Sequence, residues 1–278
     1  MAVLKHILIT AGGTTEPIDT VRRITNMSTG SLCACVYDAL ATRLSAEREA
    51  STKKGLAFRI HYVVSKTAVR PDRNYHLPVT FYEVSDAASA ATVLEKILAD
   101  FPIAAVVHGM AVSDFTTDYV TTRDALISEL LVNIEETIAA APGASSATAL
   151  RAVLESTFEN PQRKLDATQK VRSDSDLVLA LKRTPKLIGL FKNHHPDAFL
   201  IGFKLLNNVP EAALIEAAAT LGENNGCDLI LANDAAKIQN GRHEGLLLKG
   251  RAVLARYETK QEIAEGLAGQ LLSAIGEG

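Results

Sequence analysis

The stretch ITAGGTTEPIDTVRRITNMSTG, Ile9 to Gly30, decides the fold. It begins in an apolar run, Leu4–Thr10, which predicts a buried parallel strand because such strands are covered on both faces. A Gly-Gly turn follows, then a loop rich in Thr, Asn and Ser, then small residues that open a helix. Glycines admit a ligand close to the backbone, hydroxyls and amides donate hydrogen bonds, and a helix N-terminus favours anions. The stretch predicts a phosphate site, but it is neither a G-x-G-x-x-G fingerprint nor a P-loop.

Strands and helices alternate along most of the remaining chain. The predicted strands are Leu4–Thr10, Phe58–Val64, Val79–Phe81, Ile103–Val107, Phe199–Leu206 and Leu229–Ala232, followed by a hairpin of Leu246–Lys249 and Ala252–Tyr257. The predicted helices are Ala34–Leu44, a helix capped by Ser85 that runs to about Asp100, Glu211–Leu221 and Glu258–Ile275. This alternation predicts an α/β fold with a Rossmann-like, doubly wound, mainly parallel sheet.

The region from Thr116 to Lys182 breaks the alternation. Ala125–Ala141 and Ala149–Phe158 have helical periodicity, and a Pro-Gly-Ser segment at 142–147 separates them. The segment from Gln162 to Asp176 is polar and highly charged. An insertion of this length indicates a lid, an arm or a dimer contact. We therefore predict one domain over residues 1–278, with 116–182 as an inserted arm or flap.

Composition excludes several classes of protein. The chain has 278 residues, 47% of them hydrophobic and 22% charged, as is typical of a globular protein. Its net charge of −3 argues against a general nucleic-acid binder. The three cysteines are expected to be small buried residues in a reducing environment, and the histidines do not have metal-ligand spacing. No apolar run reaches the roughly 20 residues of a membrane-spanning helix, so we expect a cytoplasmic protein without a membrane partner.

Polar or flexible groups follow several predicted strands, where ligands bind in open α/β sheets. Gly12 follows the first predicted strand. Ser113 and Asp114 follow the Ile103–Val107 strand, and Asn233 follows the Leu229–Ala232 strand. Phe203 lies near another strand end, where it could stack on a base or belong to the core. Asn233 could instead cap a turn. Asp114 is the stronger candidate, because a carboxylate after a buried strand is costly without a partner.

Six segments, in order along nearly the whole chain, resemble the phosphopantothenate–cysteine ligase family. They are ITAGGTTEPIDTVRRITNMSTG, HGMAVSDF, KVRSDSDLVLALKRTPKLI, LIGFKLL, DLILAND and ETKQEIAE. The chain is most similar to the stand-alone bacterial form of this family, without a fused flavin-dependent decarboxylase.

The resemblance implies a reaction in coenzyme A biosynthesis. A nucleoside triphosphate activates the carboxylate of 4′-phosphopantothenate to an acyl-nucleotide monophosphate and releases pyrophosphate; the amine of L-cysteine then displaces the nucleotide. The resemblance also implies Mg²⁺ on the triphosphate, CTP or ATP as co-substrate, and a homodimer with shared sites. The metal ligands are unknown from the sequence.

The resemblance further assigns individual residues. Asn26 and Lys170 would be catalytic: Asn26 contacts the acyl intermediate, and Lys170 neutralises phosphate charge. The substrate-binding positions are Arg22, which would reach into the neighbouring subunit, and Met110, Ala111 and Asp114. The nucleotide-binding positions are Gly12, Ser28, Gly30, Phe203 and Asn233.

The chain departs from the family pattern at two places. The family loop continues with a basic residue and later a glycine, where this chain has Ser31 and Cys33. Two lysines typical of CTP-using members are replaced at about Leu221 and Asn225, which leaves CTP and ATP both open. Two other functions stay open: an NAD(P)-dependent Rossmann oxidoreductase, for which an acidic residue after the second strand is missing, and a non-catalytic nucleotide-binding relative.

Overall fold

The computed structural model describes residues 4–50, 57–71, 78–140, 147–171, 176–239 and 241–276. The break predicted at 142–147 lies, except for Ala147, outside these residues. The chain divides into two compact units. We call Met1–Thr15, Thr25–Ser113 and Pro185–Gly278 the sheet unit, and Glu16–Ile24 with Asp114–Thr184 the arm unit.

Fourteen strands and seven α-helices are present in the described ranges. The strands are β1 Leu4–Ala11, β2 Thr15–Pro17, β3 Arg23–Thr25, β4 Ala57–Ser65, β5 Val79–Val84, β6 Ile103–His108, β7 Phe115–Thr122, β8 Leu177–Arg183, β9 Phe199–Leu206, β10 Leu229–Asp234, β11 Ile238–Gln239, β12 Arg242–His243, β13 Gly245–Lys249 and β14 Ala252–Tyr257. The helices are α1 Ser31–Ala50, α2 Ala87–Asp100, α3 Arg123–Ala140, α4 Ala147–Glu159, α5 Ile188–His194, α6 Glu211–Asn225 and α7 Lys260–Gly276.

The sheet unit contains an eight-stranded sheet in the order β14-β13-β10-β9-β6-β1-β4-β5. The six strands from β10 to β5 pair in parallel, and β13 and β14 add an antiparallel edge. The chain winds from β1 outward through β4 and β5, and then returns to the other side of β1 with β6. The strand order therefore reverses between β1 and β6, and such a reversal opens a crevice at the carboxyl ends of the two strands.

Helices cover both faces of this sheet because its strands are apolar on both sides. Ile7 and Ile9 of β1 pack in a cluster with α1 and α7, whereas Leu8, between them, packs with α2 and α5. Leu214 and Ala218 of α6 cover β10 and β13. These layers confirm the predicted fold class, a doubly wound and mainly parallel α/β sheet.

The arm unit is built on an antiparallel ribbon of β7 and β8, and the helices α3 and α4 lie between these two strands in the chain. Polar contacts tie it together. Tyr119 donates its hydroxyl hydrogen to the carbonyl of Phe158 at 2.6 Å, and Thr121 donates to the carbonyl of Arg163 at 2.6 Å. The buried carboxylate of Glu129 accepts the backbone N–H groups of 162 and 163 at 2.8 and 3.3 Å. The ribbon was not predicted from the sequence.

Two local predictions need correction. Asp86, not Ser85, caps α2: its carboxylate accepts the N–H of Ser89 at 2.7 Å, and the Ser89 hydroxyl caps back in a capping box. Strand β10 extends through Asn233 and Asp234, which are buried within the strand instead of following it.

Candidate functional site

The candidate site of the sheet unit lies where β1 and β6 end, at the reversal of strand order. The turn after β1 contains Gly12 and Gly13, and the turn after β6 contains Gly109, Met110 and Ala111. Backbone hydrogen bonds join the two turns. The N–H of Ala111 donates to the carbonyl of Gly12 at 2.8 Å, and the N–H of Thr14 donates to the carbonyl of Ala111 at 3.2 Å.

Asn26 completes this arrangement from the loop before α1. Its Nδ2 donates to the carbonyl of Ala111 at 3.3 Å, and its backbone carbonyl accepts the N–H of Ser28 at 2.9 Å. The same carbonyl lies so close to Gly13 that any Cβ at residue 13 would collide with it. The side chain of Asn26 is exposed, so its amide is presented to solvent beside both strand ends.

Gly12 and Gly30 meet at the entrance to α1. Both have positive φ, 88° and 70°, a conformation that L-residues with a side chain rarely adopt. A Cβ on Gly30 would lie 2.9 Å from the backbone nitrogen of Gly12. The hydroxyl of Ser65, at the end of β4, lies against Gly12 and is buried with no hydrogen-bond partner among the described residues. The structure therefore brings Gly12, Asn26, Ser28, Gly30, Met110 and Ala111 together, and their ligand-binding roles stay predictions.

Cys33 fills space behind the β6 turn. A Cβ on Gly109 would collide with the Cys33 sulfur, and it would lie 3.6 Å from Cε2 of Phe203. Burial raises the pKa of the Cys33 thiol to about 12, so the thiol stays protonated. Phe203 is half-buried and packs on the core beside this turn, which leaves both its predicted base contact and its core role compatible with its position.

A buried hydrogen-bonded pair, Thr10 and His108, holds the β6 turn in place. The sequence analysis did not predict this pair. Thr10 Oγ1 and His108 Nδ1 are 2.8 Å apart, and the same Oγ1 accepts the N–H of Met110 at 3.2 Å. Burial lowers the pKa of His108 to about 4, so the ring is neutral at pH 7. The Met110 side chain is itself buried in the core. Residue 110 therefore reaches the site through its backbone.

Asn233 lies in the sheet unit on β10, two strands from β6. Its Nδ2 donates to the carbonyl of Glu244 at 2.7 Å, which fixes the amide against the antiparallel edge. Its predicted nucleotide contact stays a prediction.

A lysine from the last helix lies at the start of α1. Lys260 Nζ donates to Ser31 Oγ at 2.8 Å, and Ser31 Oγ is 3.0 Å from Thr29 Oγ1. Burial lowers the pKa of His243, and the positive charge of Lys260 lowers it further. The loop that lacks a basic residue at position 31 therefore has one beside it, from a residue 229 positions away in the sequence.

Arg22 belongs to the arm unit, where a buried aspartate organises its loop. Asp19 accepts the N–H groups of Arg22, Val21 and Val171 at 2.7, 2.8 and 3.1 Å. The N–H of Arg22 is the main cause that holds the pKa of Asp19 below its ordinary value. Arg22 Nη1 also contacts Asp19 Oδ2 and the carbonyl of Val171, both at 3.1 Å. Sequence analysis missed Asp19, although an aspartate before a loop arginine is typical of an Asx turn.

Lys170 is exposed, and it directly precedes Val171, whose backbone contacts Asp19 and Arg22. The structure thus places Arg22 and Lys170 in one part of the arm unit. Asp114 begins the arm unit and is also exposed, so the argument that its carboxylate is costly to bury was wrong. The catalytic and binding roles of these three residues stay predictions.

Across the described ranges, no group of three or more His, Cys, Asp or Glu side chains is arranged to hold a metal ion. In the same ranges no helix is long and apolar enough to cross a membrane.

The fold and the strand-end site define a Rossmann-like α/β protein with a candidate nucleotide-type site at its topological switch point. The chain belongs to the family described as the DNA/pantothenate metabolism flavoprotein C-terminal domain, whose model matches residues 3–126 and 158–275. The match leaves out residues 127–157, which include most of α3 and α4.

Known relatives agree with this membership. The chain is 26% identical over 265 residues to the coenzyme A biosynthesis bifunctional protein CoaBC of Thermococcus kodakarensis, and the match covers 95% of this chain and 50% of that protein. The chain thus spans about half the length, or less, of the curated relatives it matches.

Solved structures share the fold. The crystal structure of the DNA/pantothenate metabolism flavoprotein from Streptococcus pneumoniae is 29% identical, with a TM-score of 0.71 and coverage of 97% of this chain and 99% of that one. A Cab2 mutant in complex with phosphopantothenate-cysteine is 16% identical, with a TM-score of 0.63 and coverage of 98% and 87%, and it supports the fold alone.

Proposed function

We propose that this chain is a nucleoside-triphosphate-dependent ligase of coenzyme A biosynthesis that joins 4′-phosphopantothenate to L-cysteine. The observation that carries the proposal is the junction of the two strand ends by Asn26. Its amide is bound to the β6 turn at Ala111, while its backbone carbonyl packs on Gly13 of the β1 turn. Family membership and the CoaBC relatives add support.

The first step requires that two anions meet. An oxygen of the phosphopantothenate carboxylate attacks the α-phosphorus of the triphosphate; the α–β phosphoanhydride bond breaks, and pyrophosphate leaves with its electron pair. Glycine turns and a helix N-terminus supply oriented N–H donors for phosphate oxygens without adding bulk. Gly12, Gly30 and the start of α1 offer these groups in the sheet unit.

The second step replaces the nucleotide by an amine. The cysteine nitrogen attacks the acyl carbon, the nucleoside monophosphate leaves, and the nitrogen loses a proton. The amide of Asn26 is suited to hold the acyl group because it donates a hydrogen bond to a carbonyl without adding charge. Lys170 and Arg22 keep the phosphate-binding roles that the resemblance assigns to them.

The described residues do not form a cage for Mg²⁺. We therefore derive no step through a protein-bound metal, and the proposal treats Mg²⁺ as part of the nucleotide substrate. CTP and ATP are both retained as co-substrates. We also propose a cytoplasmic homodimer in which Arg22 serves the site of the neighbouring subunit.

One assay tests the function. The protein is incubated with 4′-phosphopantothenate, L-cysteine, Mg²⁺ and either CTP or ATP, and pyrophosphate is measured. We expect release that depends on phosphopantothenate, and phosphopantothenoylcysteine as the product by mass spectrometry. Nucleotide binding without release would instead indicate the non-catalytic relative, and NAD(P)H turnover would indicate the oxidoreductase.

Asn26→Asp tests the residue that joins the strand ends. The exposed carboxylate should leave the overall fold intact, but it cannot donate to the Ala111 carbonyl and it repels the acyl-nucleotide, so we expect turnover to fall by about 100-fold, typical of losing a preorganised donor. Asn193→Asp, an exposed change on α5, is the matched control and should be fully active. Normal rates in Asn26→Asp would remove Asn26 from the site.

Mixed dimers test the shared site. Arg22→Ala and Asn26→Asp subunits, each inactive alone, should regain part of the activity when they are combined. Their failure to complement would contradict a role for Arg22 across the dimer.

A further inference from the structure

We propose that Lys260 binds the triphosphate of the nucleotide, and that it supplies from the last helix the cation that the glycine loop itself lacks. The inference rests on the proposed function, since the site concerned is the one assembled from the ends of β1 and β6. It adds a binding residue to that site and names the ligand group, a polyphosphate, that the residue contacts.

The position of Lys260 is the first argument. Its Nζ lies 2.8 Å from the hydroxyl of Ser31, the first residue of α1. Gly30, one residue earlier, would meet the backbone nitrogen of Gly12 if it carried a Cβ. The Lys260 ammonium group is therefore hydrogen-bonded at the end of the Ser28–Gly30 loop, where we predict that the nucleotide binds.

The second argument is electrostatic. The N-terminus of a 20-residue helix carries a partial positive charge, so a cation placed there is unfavourable unless an anion is also present. Within the described ranges no salt bridge joins a carboxylate to Lys260. A half-buried lysine held at this helix end is thus arranged to meet an anion that the described residues do not provide.

A buried hydroxyl group beside the same glycine turn lacks a hydrogen-bond partner among the described residues. The Ser65 hydroxyl is buried against Gly12 without a partner in the described part of the chain. Buried hydroxyls are nearly always paired, so one left open beside a glycine turn indicates that a ligand oxygen or a bound water completes it. Ser65 lies against Gly12, which itself packs on Gly30, and Lys260 is hydrogen-bonded to Ser31, the residue that follows Gly30.

The test separates charge from packing. Lys260→Met keeps the length and apolar stem of the side chain and removes the ammonium. Lys260→Arg keeps a cation, and Ser31→Lys combined with Lys260→Met places a new ammonium at the same helix end. Lys249→Met, at the exposed end of β13, is the control for loss of a lysine elsewhere in the sheet unit.

Binding of inorganic tripolyphosphate, CTP and ATP is measured by titration calorimetry, together with KM values for nucleotide and phosphopantothenate. We expect Lys260→Met to weaken tripolyphosphate and nucleotide binding by about 10- to 100-fold, the loss of one charge-assisted contact. KM for phosphopantothenate should be unchanged. Lys260→Arg should stay near wild type, Ser31→Lys should restore binding to Lys260→Met, and Lys249→Met should have no effect.

Two results would overturn the inference: wild-type affinity in Lys260→Met, or a loss that Ser31→Lys does not rescue while the melting temperature falls. These outcomes are distinct from failure of the proposed function. A wild-type protein that binds tripolyphosphate through Lys260 but never releases pyrophosphate would refute the ligase and keep this binding residue. If the wild-type protein is an active ligase and Lys260→Met leaves the nucleotide KM unchanged, the proposed function stands and the role of Lys260 is refuted.

Discussion

The sheet unit buries most of its large apolar side chains, whereas the arm unit exposes many of its own. Ile7, Ile9 and Leu8 of β1 are fully buried. On α3 of the arm unit, Ile127, Leu131 and Ile138 are 47%, 56% and 43% exposed along one face. The arm buries few apolar side chains, such as Val120 and Leu126, and polar contacts of Glu129 and Tyr119 add to its stability. The difference shows that the sheet unit is stabilised by its core, and the exposed face of the arm supports the proposed dimer contact.

The largest expected effect concerns function in the arm unit. Lys170→Gln should slow formation of the acyl-nucleotide by a factor of about 10²–10³, because it removes charge stabilisation on the phosphate. Pre-steady-state measurement of pyrophosphate release checks this. Lys164→Gln, an exposed lysine of the same unit, should change the rate little. If Lys170→Gln is as fast as wild type, the arm contributes a different lysine or none.

Acid should unfold the sheet unit first. Burial lowers the pKa of His61 and of His108 to about 4, while in the unfolded chain both titrate near 6.5. Below pH 6.5 these histidines therefore become protonated in the unfolded state but stay neutral in the folded state. The free energy of unfolding falls as the pH drops towards 4, by at most about 3 kcal/mol per histidine. Asp19 of the arm has a lowered pKa, so its contribution is present above its ordinary range and is lost only below about pH 4.

Hydrogen–deuterium exchange between pH 7 and 4.5, corrected for intrinsic rates, resolves the two units. Protection should decline in the sheet unit before the arm unit. Denaturant unfolding of His108→Gln should show a weaker pH dependence, and His194→Gln, at an exposed position, should behave as wild type. An unaltered pH dependence in His108→Gln would mean that His108 is protonated in the folded state.

Gly13→Ala tests the close packing of the sheet unit at its site. The new Cβ collides with the Asn26 carbonyl, so the loop must move, and we expect a loss of about 1–3 kcal/mol in unfolding free energy together with impaired turnover. Urea unfolding and the pyrophosphate assay measure both. Gly189→Ala on α5 is the control, because a Cβ there meets nothing closer than Asn225 Oδ1 at 4.0 Å. Full stability and activity in Gly13→Ala would show that the loop is not packed as described.

The smallest effect on the single chain is expected on the exposed face of α3. Leu131→Gln should change the unfolding free energy of the monomer by less than about 0.5 kcal/mol. Sedimentation equilibrium should nevertheless show more monomer, if this face forms the dimer. Leu254→Gln, 49% exposed on β14, should leave the mass unchanged. A stable dimer in Leu131→Gln would assign the contact to another surface.

Sequence was sufficient for the eight strands of the large sheet because most of them are continuous apolar runs, but it did not predict the short helix α5. It also predicted the glycine turn from its residue types, whereas Asn26 was assigned by the family resemblance and its role stays a prediction. It failed for β7 and β8: FTTDYVTT has little apolar pattern of its own, and it becomes a strand by pairing with Leu177–Arg183, more than fifty residues later. Lys260 beside Ser31 and Thr10 beside His108 are likewise contacts between distant segments, for which the local pattern holds no signal.

The contact between Cys33 and Gly109 gives this protein an internal reporter. A maleimide can modify the Cys33 sulfur only after the first turn of α1 has moved away from the β6 turn, because the thiol is buried there and stays protonated. The labelling rate of Cys33 therefore measures how often the first turn of α1 separates from the β6 turn at the candidate site. A bound nucleotide that holds the two turns together should lower the rate at which maleimide labels Cys33, even in a variant that has lost all turnover.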